Sequence, residues 1–163
     1  LEEVLKLLFL DIDGVVVTQR SHWLPTVYSG GEYKDSVDPV SAHCVRKIVE
    51  HTGCRIVINS SHGEKGEDHI RDLFITVDYD ISEDLCYEPI TKFPHGYSRE
   101  EAILEHIQML KRFYNEDISH WCVLDDSKLP NMMDYHVQVS SSDGIMTKDY
   151  KQVCLILGHP VRG

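Results

Sequence analysis

Between Leu7 and Val17 the chain reads Leu-Leu-Phe-Leu-Asp-Ile-Asp-Gly-Val-Val-Val. Four apolar residues end in Asp11, one apolar residue intervenes, and Asp13 and Gly14 follow. An apolar run bounded by a turn residue predicts a strand buried on both faces, as in parallel sheets. Carboxylates are costly at the end of such a strand. Burying one ion unpaired costs several kcal/mol, and two close together repel. A positive charge is therefore expected beside them, most simply a divalent cation. The bland alternative is two solvated acids in a β-turn.

The 163 residues suit one domain with a full core. Sixteen Lys and Arg face 27 Asp and Glu, a net charge of −11. That balance argues against broad electrostatic attraction to nucleic acid or an anionic membrane, while leaving room for a local basic patch. No run approaches the roughly 20 apolar residues of a membrane span. The start, Leu-Glu-Glu-Val, lacks the basic and apolar regions of a signal peptide and does not begin with Met, so a longer native chain stays open. Cys44, Cys54, Cys86, Cys122 and Cys154 are odd in number, far apart and without a CxxC pair. Neither a zinc site nor a redox motif is signalled, and reduced core thiols in a cytoplasmic protein are expected.

Taken in order, a first strand is expected over about residues 4–10, with 15–17 continuing it past the acidic turn. Residues 18–37 are polar and aromatic around Gly30-Gly31 and predict a short hairpin or flap, with His22, Trp23 and Tyr28 as candidate substrate contacts. Asp38 then caps a helix with Pro39 at its first position, and Val40, Cys44, Val45, Ile48 and Val49 make its apolar face. Gly53 suits its C-terminal cap. A second strand, 55–58, ends in Asn59-Ser60-Ser61-His62-Gly63. A short helix over 66–74 follows, then a strand around 74–77 and an acidic excursion to Pro94. Ser98 and Glu101 form a capping box before a helix with Ala102, Ile103, Ile107, Leu110 and Phe113 inward. Arg99 in its first turn opposes the helix dipole, which suits a side chain facing an anion. A strand over 118–124 ends in Asp125-Asp126, a fifth strand covers 135–139, and a last helix spans about 147–157. Strands alternating with helices predict a three-layer α/β/α doubly wound parallel sheet.

In such a sheet ligands bind beyond the carboxyl ends of the strands. Asp11, Asp13, the 59–61 turn, Arg99 and Asp125-Asp126 all fall at strand ends or at a helix start. Three or four oxygens suit Mg2+, with water and phosphate completing an octahedron. Hydroxyls and a guanidinium suit a phosphate oxyanion. A carboxylate beside the metal can attack phosphorus, and a second carboxylate two residues on can protonate the leaving oxygen and then activate water.

This set resembles the haloacid dehalogenase (HAD) superfamily of aspartyl-phosphate-forming phosphatases. Its four motifs run in order through residues 7–126, and Phe9-Leu10-Asp11-Ile12-Asp13-Gly14-Val15 is specific by itself. More narrowly, the strand-end Ser-Ser, the Arg-opened helix and Leu124-Asp125-Asp126 resemble the phosphatase-like domains associated with RNA-repair proteins. The resemblance implies a HAD-like Rossmannoid fold and a Mg2+-dependent phosphohydrolase. It makes Asp11 the nucleophile and a metal ligand. It makes Asp13 the general acid/base, giving the metal its backbone carbonyl. Ser60 becomes the phosphate-binding hydroxyl, with Asn59 or Ser61 in its place if the strand ends one residue away. Arg99 stands where the superfamily has a Lys or Arg that neutralises nucleophile and phosphate, with Lys92 as rival. Asp126 is favoured as direct metal ligand, with Asp125 bridged through water or behind it.

His62-Gly63 departs from the large aromatic and basic residues that relatives often carry there. The cap intervals of the superfamily, here about 18–37 and 64–97, have room for a small flap but no large cap. An open site of this kind suits phosphate on a large substrate, such as a nucleic-acid end or a phosphoprotein. His62 and His95 could line it, although ordinary surface or packing roles are the simpler reading. Tyr87, Tyr97 and Trp121 read as core or surface residues. Two other functions compete. A receiver-like module needs an acceptor Asp on a later strand, where Asn59-Ser60-Ser61 stands instead. A non-catalytic phosphate- or metal-binding module on the same fold retains every motif residue and is not separated by sequence. Neither substrate nor oligomeric state is legible.

Overall fold

The computed structural model describes residues 4–23, 36–90 and 98–162. Strand β1 (Leu5–Leu10) leads through the acidic turn to a short helix, α1 (Gln19–Trp23). Helix α2 (Pro39–Thr52) and strand β2 (Arg55–Ile58) follow, then a 3-10 turn over Ser61–Lys65 and helix α3 (Glu67–Ile75). After an irregular excursion come α4 (Arg99–Phe113), β3 (Ile118–Asp125), β4 (His136–Gln138) and α5 (Thr147–Ile156).

The four strands form one parallel sheet in the order β2-β1-β3-β4. Alternation along β1 sends its side chains to two separate cores. Leu8 and Leu10 join Val45, Ile48, Ile70, Phe74 and Val153 on the face covered by α2, α3 and α5. Leu7 and Phe9 join Ile103, Ile107, Leu110 and Val123 on the face covered by α4. This is a three-layer α/β/α arrangement, and β1 is buried because both of its faces are covered.

The helix termini follow from local chemistry. The Asp38 carboxylate accepts from the N–H groups of Val40 and Ser41, and Gly53 adopts φ +72° to close α2. Asp38 is fully buried and also accepts from Thr18 Oγ1 at 3.1 Å and pairs with Arg20 at 2.7 Å. One carboxylate thus caps α2 and pins α1 against it. Ser98 accepts from the Glu101 N–H at 3.2 Å and sets the start of α4.

Val40 and Phe113, expected on the inward faces of α2 and α4, are instead exposed, and three expectations about the elements are corrected as well. Residues 15–17 do not extend β1. Their N–H groups turn back onto the carbonyl of Ile12, and only an isolated bridge joins Asp13 to Val17. No strand occupies 74–77, because Phe74 belongs to the buried face of α3 and the chain turns at Asp78 with φ +62°. Among the described residues the sheet therefore has four strands rather than five. The outer edge of β2 is met instead by the excursion: Cys86 N–H donates to Ile56 O and Ile90 N–H to Ile58 O, each at 2.8 Å. Such cover keeps an edge strand from pairing with another chain. Third, the segment after the first motif begins with α1 rather than a hairpin. Its residues 24–35, including Tyr28, lie outside the described residues, as does the Trp23 side chain.

Neither cap interval holds a cap domain among the described residues. All five cysteines are free thiols, with Cys54, Cys122 and Cys154 buried. Trp121 stacks on Tyr135 with ring centroids 4.0 Å apart, and Tyr87 packs edge-on against Tyr114. No helix among the described residues is long and apolar enough to cross a membrane.

Candidate active site

The carboxyl ends of β1 and β3 lie side by side, with Leu10 opposite Leu124. The two acid pairs that follow these residues are therefore delivered to the same place. Carboxylate oxygens of Asp11, Asp125 and Asp126 lie within 4.8 Å of one another. Gly14 makes this approach possible. It adopts φ +82°, and a Cβ there would stand 2.2 Å from Asp126 Oδ2.

Each acid has a different environment. Asp11 is 6% exposed, and its Oδ1 accepts from the Ile12 N–H at 2.9 Å. Burial, reinforced by the Asp125 charge and only partly offset by Arg99, pushes its carboxyl up to about 8. Asp125 is fully buried, yet both of its oxygens are engaged. Oδ2 accepts from Arg99 Nη1 at 2.7 Å and Oδ1 from the Ser127 N–H at 2.9 Å. Asp126 is half-buried, and burial together with the Asp125 charge raises it. β4 steadies this end of β3, since His136 Nε2 lies 3.1 Å from Asp125 O and Gln138 Nε2 donates to Asp126 O at 3.2 Å.

Arg99 stands at the first position of α4 and reaches both pairs. Besides Asp125 it approaches Asp11 Oδ2 at 3.8 Å. The rival cation Lys92 lies outside the described residues, as do His95 and Tyr97.

Asp11, Asp13, Asn59, Ser60, Ser61, Ile90, Arg99 and Asp126 line one cleft of about 330 Å³. Asn59 is fully buried there, and neither its amide nitrogen nor its amide oxygen has a partner among the described residues. A buried amide left bare costs about 1–3 kcal/mol, which marks Asn59 as a group set for a ligand or water. Ser60 is buried and its Oγ accepts from the His62 N–H at 3.2 Å, leaving the hydroxyl proton to donate; Ser61 is exposed. Asp13 is separated from the other acids. Its side chain is 65% exposed, with Oδ1 3.1 Å from His62 Nε2. His22 lines an adjoining cleft of about 270 Å³ with Asp13, Gly14 and Asp126.

The donor set fits a hard divalent cation. Three clustered carboxylates against one guanidinium leave an excess of two negative charges if all ionise, and every donor is oxygen. The bare Asn59 amide beside them suits a phosphate or metal-bound water. His69 is the neighbour that sequence reasoning missed: its Nε2 lies 3.0 Å from His62 Nδ1. Two histidines seven residues apart, one in a 3-10 turn and one on a helix, follow no recognisable spacing pattern.

A family model described as the HAD domain in Swiss Army Knife RNA repair proteins matches residues 7–150. The match spans both acid pairs, the turn after β2 and Arg99. Comparison with curated proteins and with solved structures gives no match.

Proposed function

The chain belongs to the HAD domain family of Swiss Army Knife RNA repair proteins, and on that premise we propose that it is a Mg2+-dependent phosphatase acting through an aspartyl-phosphate on Asp11. The observation that carries this reading is the setting of Asp11. It is a buried carboxyl pushed up to about 8, clustered with Asp125 and Asp126 and 3.8 Å from a guanidinium. A surface acid has no need of such surroundings, whereas a nucleophile that meets a cation and a phosphate does.

Asp11, Asp126 and the backbone carbonyl of Asp13 would hold Mg2+, with Asp125 behind them, and the ion would supply the positive charge that favours an ionised Asp11 and polarises phosphoryl oxygens. Asp11 attacks phosphorus while the bond to the leaving oxygen breaks, and Asp13 gives that oxygen its proton. Asp13 then takes a proton from water as the water attacks the phosphoaspartate, which releases phosphate and restores both acids. Arg99 offsets the charge of Asp125 and Asp11, and the Ser60 hydroxyl with the Asn59 amide holds phosphoryl oxygens.

The substrate is a phosphomonoester at the end of a nucleic acid, RNA by preference. The family's RNA-repair description supports this choice, as does a cleft over which the described residues place no cap domain. A net charge of −11 gives little general attraction to a polyanion, so recognition is concentrated on the terminal phosphate. A phosphoprotein substrate is the competing reading.

The test is phosphate release from a small aryl phosphate, with Mg2+ and with chelator, for wild type and Asp11→Asn. Activity that needs both Mg2+ and Asp11 is expected, followed by preference for 3′- or 5′-phosphorylated RNA over phosphopeptides. Turnover undiminished in Asp11→Asn would sink the mechanism. Absence of wild-type turnover together with failure of beryllofluoride to bind at Asp11 would leave a non-catalytic module.

A further inference from the structure

We propose that His62, braced by His69, is the positioning residue that aims Asp13 as general acid and base; this rests on the phosphatase reading above. Asp13 sits on the turn beyond β1, and a carboxyl 65% exposed would rotate freely without an anchor. The anchor is an imidazole only 8% exposed, whose Nε2 lies 3.1 Å from Asp13 Oδ1. Its Nδ1 lies 3.0 Å from His69 Nε2. The two rings are parallel within 3° with centroids 5.3 Å apart. With an N···N contact of 3.0 Å, that separation belongs to rings joined edge to edge, not stacked face on face. His62 is itself held by its backbone, whose N–H donates to Ser60 Oγ. The residues following β2 therefore orient a carboxyl that follows β1.

Donor counting makes the chain directional. A neutral imidazole has one N–H, and an ionised Asp13 can only accept. His62 Nε2–H donates to Asp13 Oδ1, so His62 Nδ1 must accept, and His69 Nε2–H must donate to it. One tautomer of each ring satisfies both contacts. With Oδ1 occupied, Oδ2 is the oxygen left to carry the proton. It gives that proton to the leaving oxygen as the ester bond breaks and Asp11 bonds to phosphorus. It takes one back from the water that cleaves the phosphoaspartate. Neighbours that orient a reacting group in this way contribute about 10–100-fold.

Two measurements test this. The first is nitrogen-15 NMR of the metal-free protein at neutral pH, which reads the tautomers directly. A protonated Nε2 and an unprotonated Nδ1 on His62 are expected; an unprotonated Nε2 overturns the proposal. The second is single-turnover release of the leaving group from p-nitrophenyl phosphate, whose leaving group needs no proton, and from an alkyl phosphate, whose leaving group does. His62→Phe is expected to slow the alkyl ester about 10–100-fold and the aryl ester at least about tenfold less, with KM within about threefold. His62→Gln, which returns an N–H near the position of Nε2, is expected to recover most of the alkyl rate. Equal slowing of both esters, or no recovery by Gln, would mean that His62 serves packing alone. Wild-type protein inert toward both esters and unable to bind beryllofluoride would instead overturn the phosphatase reading, and this inference with it.

Discussion

The ends of β1 and β3 carry the same kind of sequence, an apolar strand running into two acids, yet the structure treats the leading acids oppositely. Asp125 is fully buried and fully answered, by Arg99 on one oxygen and the Ser127 N–H on the other. Asp11 is almost as buried but receives one backbone N–H and a guanidinium at 3.8 Å that bonds Asp125 more closely, and its remaining partner is the side chain of another acid, Asp126. The first arrangement neutralises a charge, and the second withholds neutralisation. Asp11 is consequently pushed up to about 8, with burial the main cause. A carboxylate satisfied by the protein has no further use for a cation, whereas one left wanting is available to a metal and a phosphate.

The sharpest way to break this comparison is to neutralise each acid's role in turn. Asp11→Asn is expected to lower aryl phosphate turnover at least about 10³-fold while the fold persists; steady-state kinetics with a circular dichroism control measures both. Removing the answer given to Asp125 should cost stability instead. Arg99→Met strands a buried carboxylate and is expected to destabilise the protein by about 3–5 kcal/mol in urea unfolding. A loss below about 1 kcal/mol would mean that Asp125 is held by its backbone contact and the contrast is false.

The raised Asp11 carboxyl makes a pH prediction of defined sign. Its ordinary value is 3.8 and its folded value about 8, so the folded state binds its proton more tightly than the unfolded state. That contribution is fully present below pH 3.8 and is lost as pH rises through 8. Metal-free Asp11→Asn, which escapes the loss, should exceed wild type in stability by on the order of 4 kcal/mol at pH 7, a gap that closes toward pH 4. Thermal melts across this range check it, and Mg2+ should raise the melting temperature of wild type more than that of the variant. The smallest effect concerns the hinge between the two ends. Gly14→Ala adds strain at φ +82° and forces Asp126 aside. A cost of about 1 kcal/mol is expected, together with weaker Mg2+ binding by isothermal titration.

Much of this is legible in the amino-acid sequence. The caps Asp38, Gly53 and Ser98 act through atoms two to four residues away, so both ends of α2 and the start of α4 could be read locally. The strand expected at 74–77 failed for the complementary reason. A short apolar run has no decisive period, and Phe74 was claimed by the face of α3. Arg99 stood out as a cation at a helix start, where the dipole disfavours it, and its nearness to Asp125 supplies the compensating charge. His62 was visible only as a departure from a pattern, and His69 had no signal at all.

By itself the sequence determined the alternation of strand and helix, the buried first strand and the acids at strand ends, because periodicity, capping and the cost of burying charge operate over a few residues. The tertiary structure decided which of those acids is paired with a cation and which is left short of partners. It also decided which imidazole meets Asp13. These depend on a register that sets Leu10 beside Leu124 and on a turn that carries His62 to the next strand's loop. Electrostatic and hydrogen-bond energies fall off over a few ångströms, so they are fixed by distances in space that spacing along the chain does not encode.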